Sequence, residues 1–98
     1  MECLLTIFAP PALEEALVDW LLEEERIHGF STAEIFGHGE RESGMTLLEQ
    51  VAGRQRRVQF LVQTDAAMAA DMIRHLREHY AGAGLHYLLT PVIEGGRI

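Results

Sequence analysis

The stretch QRRVQFLVQTDAAMAADMIRHLREHY, residues 55–80, decides the fold because its apolar pattern changes once along its length. Residues 55–64 alternate between apolar and polar positions, which predicts a β-strand with one buried face. Asp65 is a favoured N-cap residue, and from there the apolar residues recur at helical spacing. The stretch therefore predicts a strand that runs directly into an amphipathic helix, whose apolar stripe is Ala69, Met72, Ile73, Leu76 and Tyr80.

The flanking sequence predicts the other elements. Residues 2–9 are rich in strand formers and stop at Pro10-Pro11, and a helix with one apolar face follows as far as His28-Gly29. Further strands are predicted at 30–39 and 85–92. The order strand, helix, strand, strand, helix, strand predicts a ferredoxin-like α+β fold, with a four-stranded antiparallel sheet and two helices on one face.

A long connection joins the second and third predicted strands. Residues 38–54 exceed what a hairpin needs, and residues 45–53 within them have short helical character. Connections of this length in a compact domain are usually functional or mobile. We therefore expect this loop to take part in function.

Composition restricts the class of protein. The 98 residues are 48% apolar with a net charge of −7, which predicts one compact domain over residues 1–98. A single cysteine, Cys3, excludes an internal disulfide framework and fits a reducing compartment. No run of about 18 apolar residues and no signal-peptide pattern is present. These features predict a cytoplasmic protein that does not insert into a membrane.

The charge is unevenly distributed. All eight basic residues are arginines, and residues 1–53 carry 11 acids and 2 bases. Arg54, Arg56 and Arg57 form the one basic cluster. An acidic chain disfavours nucleic-acid binding because long-range repulsion opposes phosphate contacts. The cluster is either a solvated strand start or an anion-binding site, since guanidinium groups hold phosphates and carboxylates in bidentate fashion.

The sheet face opposite the helices is predicted to carry large apolar side chains. If Cys3, Leu5 and Ile7 point to the helices, alternation turns their neighbours away. The apolar residues expected on this second face are Leu4, Phe8, Leu61, Leu88 and Val92. Because such a face is rarely left to water, we expect a homo-oligomer.

The five histidines raise the question of a metal site. His75 and His79 are four residues apart on the predicted helix, beside Met68 and Met72, which places both imidazoles on one side. His38 lies near two glutamates in the long loop and offers another ligand for a divalent transition metal. Two ligands alone make an incomplete site, so surface histidines without a metal role remain the alternative interpretation.

One segment resembles a known family. Residues 33–44, AEIFGHGERESG, are similar to the end of the second strand and the start of the T-loop in the PII-like signalling proteins. Arg57 stands near a phosphate-binding lysine of that family, and Gly82-Ala83-Gly84 resembles its phosphate-cradling B-loop. The resemblance implies a trimer that binds an adenine nucleotide between subunits and docks on a protein partner, often a membrane transporter. The ligand-binding residues implied on this basis are Gly37, His38, Gly39, Arg41, Arg56, Arg57, Gly82 and Gly84.

The sequence also departs from that family. Arg41 stands where a glutamine binds Mg²⁺ and 2-oxoglutarate in classical PII proteins, and Leu85 replaces the B-loop lysine. With its Pro10-Pro11 helix start and the run QVAGRQRR at residues 50–57, the chain more closely resembles a short PII-like branch. That branch accompanies heavy-metal efflux systems, so the resemblance implies a role in metal resistance. Ser31 and Ser43 have no base at a suitable spacing, and the chain has no lysine for a Gly-x-x-x-x-Gly-Lys loop. We therefore expect a regulatory binding protein rather than an enzyme, with a metal-binding or metal-sensing protein as the alternative.

Overall fold

The computed structural model describes residues 1–39 and 54–98, and its element order is the predicted one. The sheet has the order β2-β3-β1-β4, and each pair of neighbouring strands is antiparallel. The ferredoxin-like arrangement predicted from the sequence is therefore confirmed. The elements are β1 (Glu2–Ala9), a 3-10 turn (Pro11–Leu13), α1 (Glu14–Glu23), β2 (Phe30–His38), β3 (Arg54–Asp65), α2 (Ala66–Tyr80) and β4 (His86–Pro91).

The core lies between the two helices and one face of the sheet. Alternate residues of β1, from Cys3 to Ala9, are buried, and they pair across the sheet with the buried residues of β3. Both helices close this layer with apolar side chains. The sheet face predicted by alternation is thus the buried one. The largest fully buried side chains of the whole core include Phe60, Leu5, Ile7, Leu17, Leu21 and Met72.

Helix α1 is shorter than the sequence predicts. It ends at Glu23 rather than at His28, because Glu24 adopts an extended conformation with ψ 107°. Three successive glutamates at this end oppose the helix dipole, which disfavours negative charge at a C-terminus. The Glu24 carboxylate instead accepts bonds from the backbone N–H and the side chain of Arg26, at 3.0 and 2.9 Å. Ile27 is still buried, but it reaches the core from this turn.

Helix α2 begins and ends as its sequence predicts. The Asp65 side chain accepts a hydrogen bond from the backbone N–H of Met68 at 2.8 Å, which is an N-cap. After Tyr80 the backbone turns through Gly82 and Gly84, whose φ angles are +78° and +86°. These left-handed conformations favour glycine and reverse the chain into β4.

Strands β2 and β3 extend beyond the rest of the sheet. Ala9, the last residue of β1, pairs with Val58, so Arg54–Arg57 pair only with Ile35–His38. We call these eight residues the ribbon. Its end leads into residues 40–53, so the predicted helical character of 45–53 lies outside the described residues.

The other sheet face has no helix against it in the described part of the chain, and we call it the open face. Strand register places Leu88 of β4 opposite Thr6 of β1, and His86 opposite Phe8. Leu61 of β3 also lies opposite Thr6. The predicted sorting of these side chains onto one face is confirmed.

Candidate effector cleft at the ribbon base

Arg57 is the central polar residue at the base of the ribbon. Its side chain is buried, with the residue only 5% exposed, although the register places it on the open face opposite Ile35. The guanidinium Nη2 donates to the carbonyl oxygens of Phe8 at 3.2 Å and Gly84 at 2.6 Å, and Nη1 donates to Gln55 Oε1 at 3.4 Å. Arg57 therefore ties β3 to the end of β1 and to the glycine turn.

A small cleft opens beside Arg57. It has a volume of about 320 Å³ and brings Gly37 and His38 of the ribbon next to Arg57 and His86. Phe8 and Ile35 supply its apolar surface. We call this the Arg57 cleft, and it places two predicted ligand residues from β2 beside the predicted anion-binding arginine.

A larger cleft adjoins it on the side of the glycine turn. This glycine-turn cleft has a volume of about 830 Å³ and shares Gln55 and His86 with the Arg57 cleft. Ile73, Leu76 and Tyr80 of α2 line its apolar part. Gly82 and Gly84 line it as well, so the bond from Arg57 to the Gly84 carbonyl links the two clefts.

Arg77 supplies a cation to the lining of the glycine-turn cleft, whereas Arg57 lines the neighbouring cleft. Its Nη2 donates to the Tyr87 hydroxyl at 2.8 Å, and its guanidinium carbon lies 5.8 Å from the centre of the Tyr87 ring. The contact orients an exposed arginine over β4 beside the turn. An arginine held this way can form charge-assisted hydrogen bonds with an anion.

The remaining predicted ligand residues have different positions. Arg56 pairs with Phe36 on the face of β3 opposite to Arg57, and it lines neither cleft. Gly39 follows β2 with φ +107° and lies just beyond the Arg57 cleft lining. Arg41 lies outside the described residues.

Several lining residues were not predicted as ligands, among them Gln55, Arg77 and Tyr87. Gln55 could have been found, because strand alternation puts it on the same face as Arg57. Arg77 and Tyr87 come together only once α2 and β4 are placed, ten residues apart along the chain. No local sequence pattern signals that contact.

The predicted metal ligands are divided between separate places. His75 and His79 are together on α2, with ring centroids 4.3 Å apart, whereas His38 lines the Arg57 cleft. Among residues 1–39 and 54–98, no group of three His, Cys, Asp or Glu side chains is arranged to hold a metal ion. Burial lowers the pKa of His75, and His79 adds to that effect while Glu78 opposes it.

The strand order and the two helices define a ferredoxin-like α+β protein. The chain belongs to the DUF3240 family, described as proteins of unknown function, whose family model matches residues 1–98. No protein of curated function matches the sequence. In the described part of the chain, no helix has the length and apolar character needed to cross a membrane.

Solved structures support the same fold. A DUF3240 family protein from Shewanella baltica superposes with a TM-score of 0.79 at 24% identity, covering 99% of this chain and 96% of that one. The periplasmic divalent cation tolerance protein CutA from Archaeoglobus fulgidus gives 0.72 at 15% identity, with 99% and 89% covered. A PII-like signalling protein from Thermus thermophilus gives 0.65 at 19% identity, with 90% and 83% covered. The PII-like resemblance of the sequence is therefore confirmed at the level of the fold.

Proposed function

We propose that this chain is the subunit of a PII-like regulatory homotrimer that binds a small anionic effector, with an adenine nucleotide as the first candidate. The effector would occupy the Arg57 and glycine-turn clefts, completed by a neighbouring subunit. Residues 38–54 follow directly from the Arg57 cleft and would contact the protein partner, with a heavy-metal efflux transporter as the candidate. The CutA relative is described as periplasmic, but the single buried cysteine favours the cytoplasm as our proposed compartment.

The observation that carries this proposal is the position of Arg57. Its guanidinium lies between the ribbon, which supplies Gly37 and His38, and the glycine turn. Three sequence segments that resemble the nucleotide-binding parts of PII-like proteins therefore meet at one place. Arg77 adds a second positive charge close by, on a chain whose net charge is −7. The local charge thus favours an anion where the whole chain does not.

The shape of both clefts also suits a binding site that is shared between two subunits. Both are open rather than enclosed by this subunit, and the adjoining open face carries Leu88 at 58% exposure. A second subunit over this region would bury apolar surface and close the cleft in one step. The polar groups of the clefts are guanidinium, amide, imidazole and phenol groups, which can hold an anion. We therefore infer binding, and not catalysis, as the activity of this site.

The test is calorimetry and thermal shift with ATP, ADP, AMP, cyclic AMP and inorganic phosphate. The variants are Arg57→Gln and Arg77→Gln, with Arg74→Gln as the matched control, since Arg74 lies on α2 outside both clefts. Hydrogen bonds to charged groups contribute roughly 1.5–3 kcal/mol, so each cleft variant should weaken binding by about 10-fold or more.

Two results would overturn the proposal. One is the absence of heat and thermal shift with every anion tested on the wild-type chain. The other is unchanged affinity in both cleft variants when circular dichroism shows that they are folded. Arg77→Gln matters most here, because Arg77 is exposed and does not tie the strands together.

A further inference from the structure

Four donor side chains form a row along one face of α2. Met68, Met72, His75 and His79 follow each other at spacings of four, three and four residues, which keeps them on one side of a helix. The two thioethers lie at the buried end of the row, with Met72 only 1% exposed, and His79 lies at the exposed end. The row therefore runs from the core to the surface and changes from thioether to imidazole.

Trp20 of α1 packs against this row. The His75 ring stacks on the Trp20 ring with centroids 4.5 Å apart and an interplanar angle of 9°. The His79 ring lies 4.3 Å from His75 with an angle of 40°. A cleft of about 270 Å³ opens at this point, lined by Trp20, Met68, Met72 and His75. We call it the Trp20 cleft, and it lies apart from the effector clefts, with which it shares no lining residue.

The carboxylates around the Trp20 cleft are already engaged. Arg26 contacts Glu24 at 2.9 Å and Asp71 at 3.3 Å, and Arg74 contacts Asp71 at 2.7 Å. Glu78 is the other acidic residue in the lining of the Trp20 cleft. The donors that face the cleft without such an ion pair are therefore mainly soft or borderline ones, namely thioether sulfur and imidazole nitrogen.

This donor set favours one class of metal. Thioether ligands select soft ions such as Cu(I), and imidazole also suits copper, whereas a structural Zn²⁺ site needs four N, S or O ligands. Among the described residues, no group of three His, Cys, Asp or Glu side chains supplies a Zn²⁺ site.

We propose that His75, His79 and the Met72 thioether form a binding site for one Cu(I) ion at the edge of the Trp20 cleft. Positions i and i+4 on a helix have Cβ atoms about 5–6 Å apart, so both rings can reach one ion by turning about their side-chain bonds. The site is independent of the proposed effector function, since it uses other residues in another cleft. The ion enters as Cu(I) and leaves as Cu(I), so binding needs no redox partner.

Trp20 supplies a local readout because it is the one tryptophan of the sequence. The purified chain is titrated anaerobically with Cu(I), and with Ag(I) as a soft ion that does not change oxidation state, while Trp20 fluorescence is recorded. A Cu(I)-specific chelator competes for the metal and gives the affinity. The titrations are repeated in Cys3→Ala, since a thiolate would also bind Cu(I). Zn²⁺ serves as the borderline comparison ion.

Two pairs of variants separate ligands from neighbours. His79→Gln is compared with His28→Gln, which removes an exposed histidine elsewhere. Met72→Leu is compared with Met68→Leu, since both replace a buried thioether in the same row by an isosteric apolar side chain. Removing a residue that only hydrogen-bonds a metal ligand already lowers metal affinity by roughly 10- to 100-fold. His79→Gln and Met72→Leu remove proposed ligands themselves, so each should weaken Cu(I) binding by at least about 10-fold.

The proposal expects one Cu(I) or Ag(I) per chain, quenching of Trp20, and retained binding in Cys3→Ala, His28→Gln and Met68→Leu. Zn²⁺ should bind more weakly and should not quench Trp20. Three results would overturn the assignment: unchanged Cu(I) affinity in folded His79→Gln and Met72→Leu, loss of Cu(I) binding in Cys3→Ala, or Zn²⁺ binding as tight as that of Cu(I). Circular dichroism of each variant shows whether it is folded.

Discussion

His75 shows how one side chain can link packing to protonation. Its ring is stacked on Trp20 and lies beside His79, so the protonated form loses solvation and meets a second potential cation. Both effects lower the pKa of His75 below its usual value of about 6.5. The charged and titratable groups around it are Glu24, Arg26, Asp71, Arg74, Glu78 and His79.

The pKa of His75 predicts a pH-dependent stability. Because the folded chain binds a proton at His75 less readily than the unfolded chain, the stabilisation is present above about pH 6.5 and is lost as the pH falls through the folded pKa. The Arg26 bonds hold the pKa of Glu24 down to about 2, and Arg74 and Arg26 lower that of Asp71. These two carboxylates therefore stay ionised in this window.

The measurement is the urea midpoint at about pH 7.5 and about pH 5.5, on either side of the usual histidine pKa. The wild type and His28→Gln should lose more stability on acidification than His75→Gln does. Equal losses in all three chains would contradict the assignment of this pH dependence to His75.

The hydrogen bonds of Arg57 could not be predicted from the sequence. Alternation placed it on the correct sheet face and the family resemblance placed it near an anion site. Its bonding partners, the carbonyls of Phe8 and Gly84, are 49 and 27 residues away in the chain. Backbone carbonyls have no residue-type signature, so the burial of this arginine follows only from the assembled fold.

The ends of the helices were predictable where a particular side chain determines them. Asp65 and the glycine turn bound α2 as expected, because capping and left-handed backbone depend on particular residue types. The predicted end of α1 was wrong, because the apolar spacing continues beyond the run of glutamates at which the helix stops. The ribbon could not be predicted either, since strand alternation does not reveal how far two strands extend past a third.

The N-cap of α2 gives a prediction about thermal stability. Asp65→Ala removes the acceptor for the Met68 N–H, and loss of an N-cap costs about 1 kcal/mol. For a domain of this size the Tm should fall by roughly 4–8 °C. Asp65→Asn is the matched control, since asparagine caps nearly as well but carries no charge. A Tm in Asp65→Asn as low as that of Asp65→Ala would mean that the charge, and not the cap, stabilises α2.

The whole molecule combines a complete core on one side of the sheet with an open face on the other. A chain of 98 residues buries only about 60–65% of the surface of its unfolded form, so its own core contributes modest stability. The open face carries partly buried Leu4, Phe8 and Leu61 beside exposed Leu88. The same region borders the effector clefts through Phe8 and His86. Oligomerisation and effector binding are therefore expected to depend on one surface.

This expectation can be tested with two exposed leucines on opposite sides of the molecule. Leu88 is on the open face at 58% exposure, and Leu22 is on α1 at 70% exposure. A charge at a buried subunit contact is costly, whereas the same charge on a solvated helix surface costs little, so Leu88→Glu should dissociate the oligomer and Leu22→Glu should not. Light scattering should give the wild type and Leu22→Glu about three times the 11.0 kDa chain mass, and Leu88→Glu a mass close to one chain.

A wild-type mass of one chain would refute the open face as a subunit contact. Dissociation by Leu22→Glu alone would place the contact on the helices, and the effector clefts would then have to bind without a neighbouring subunit.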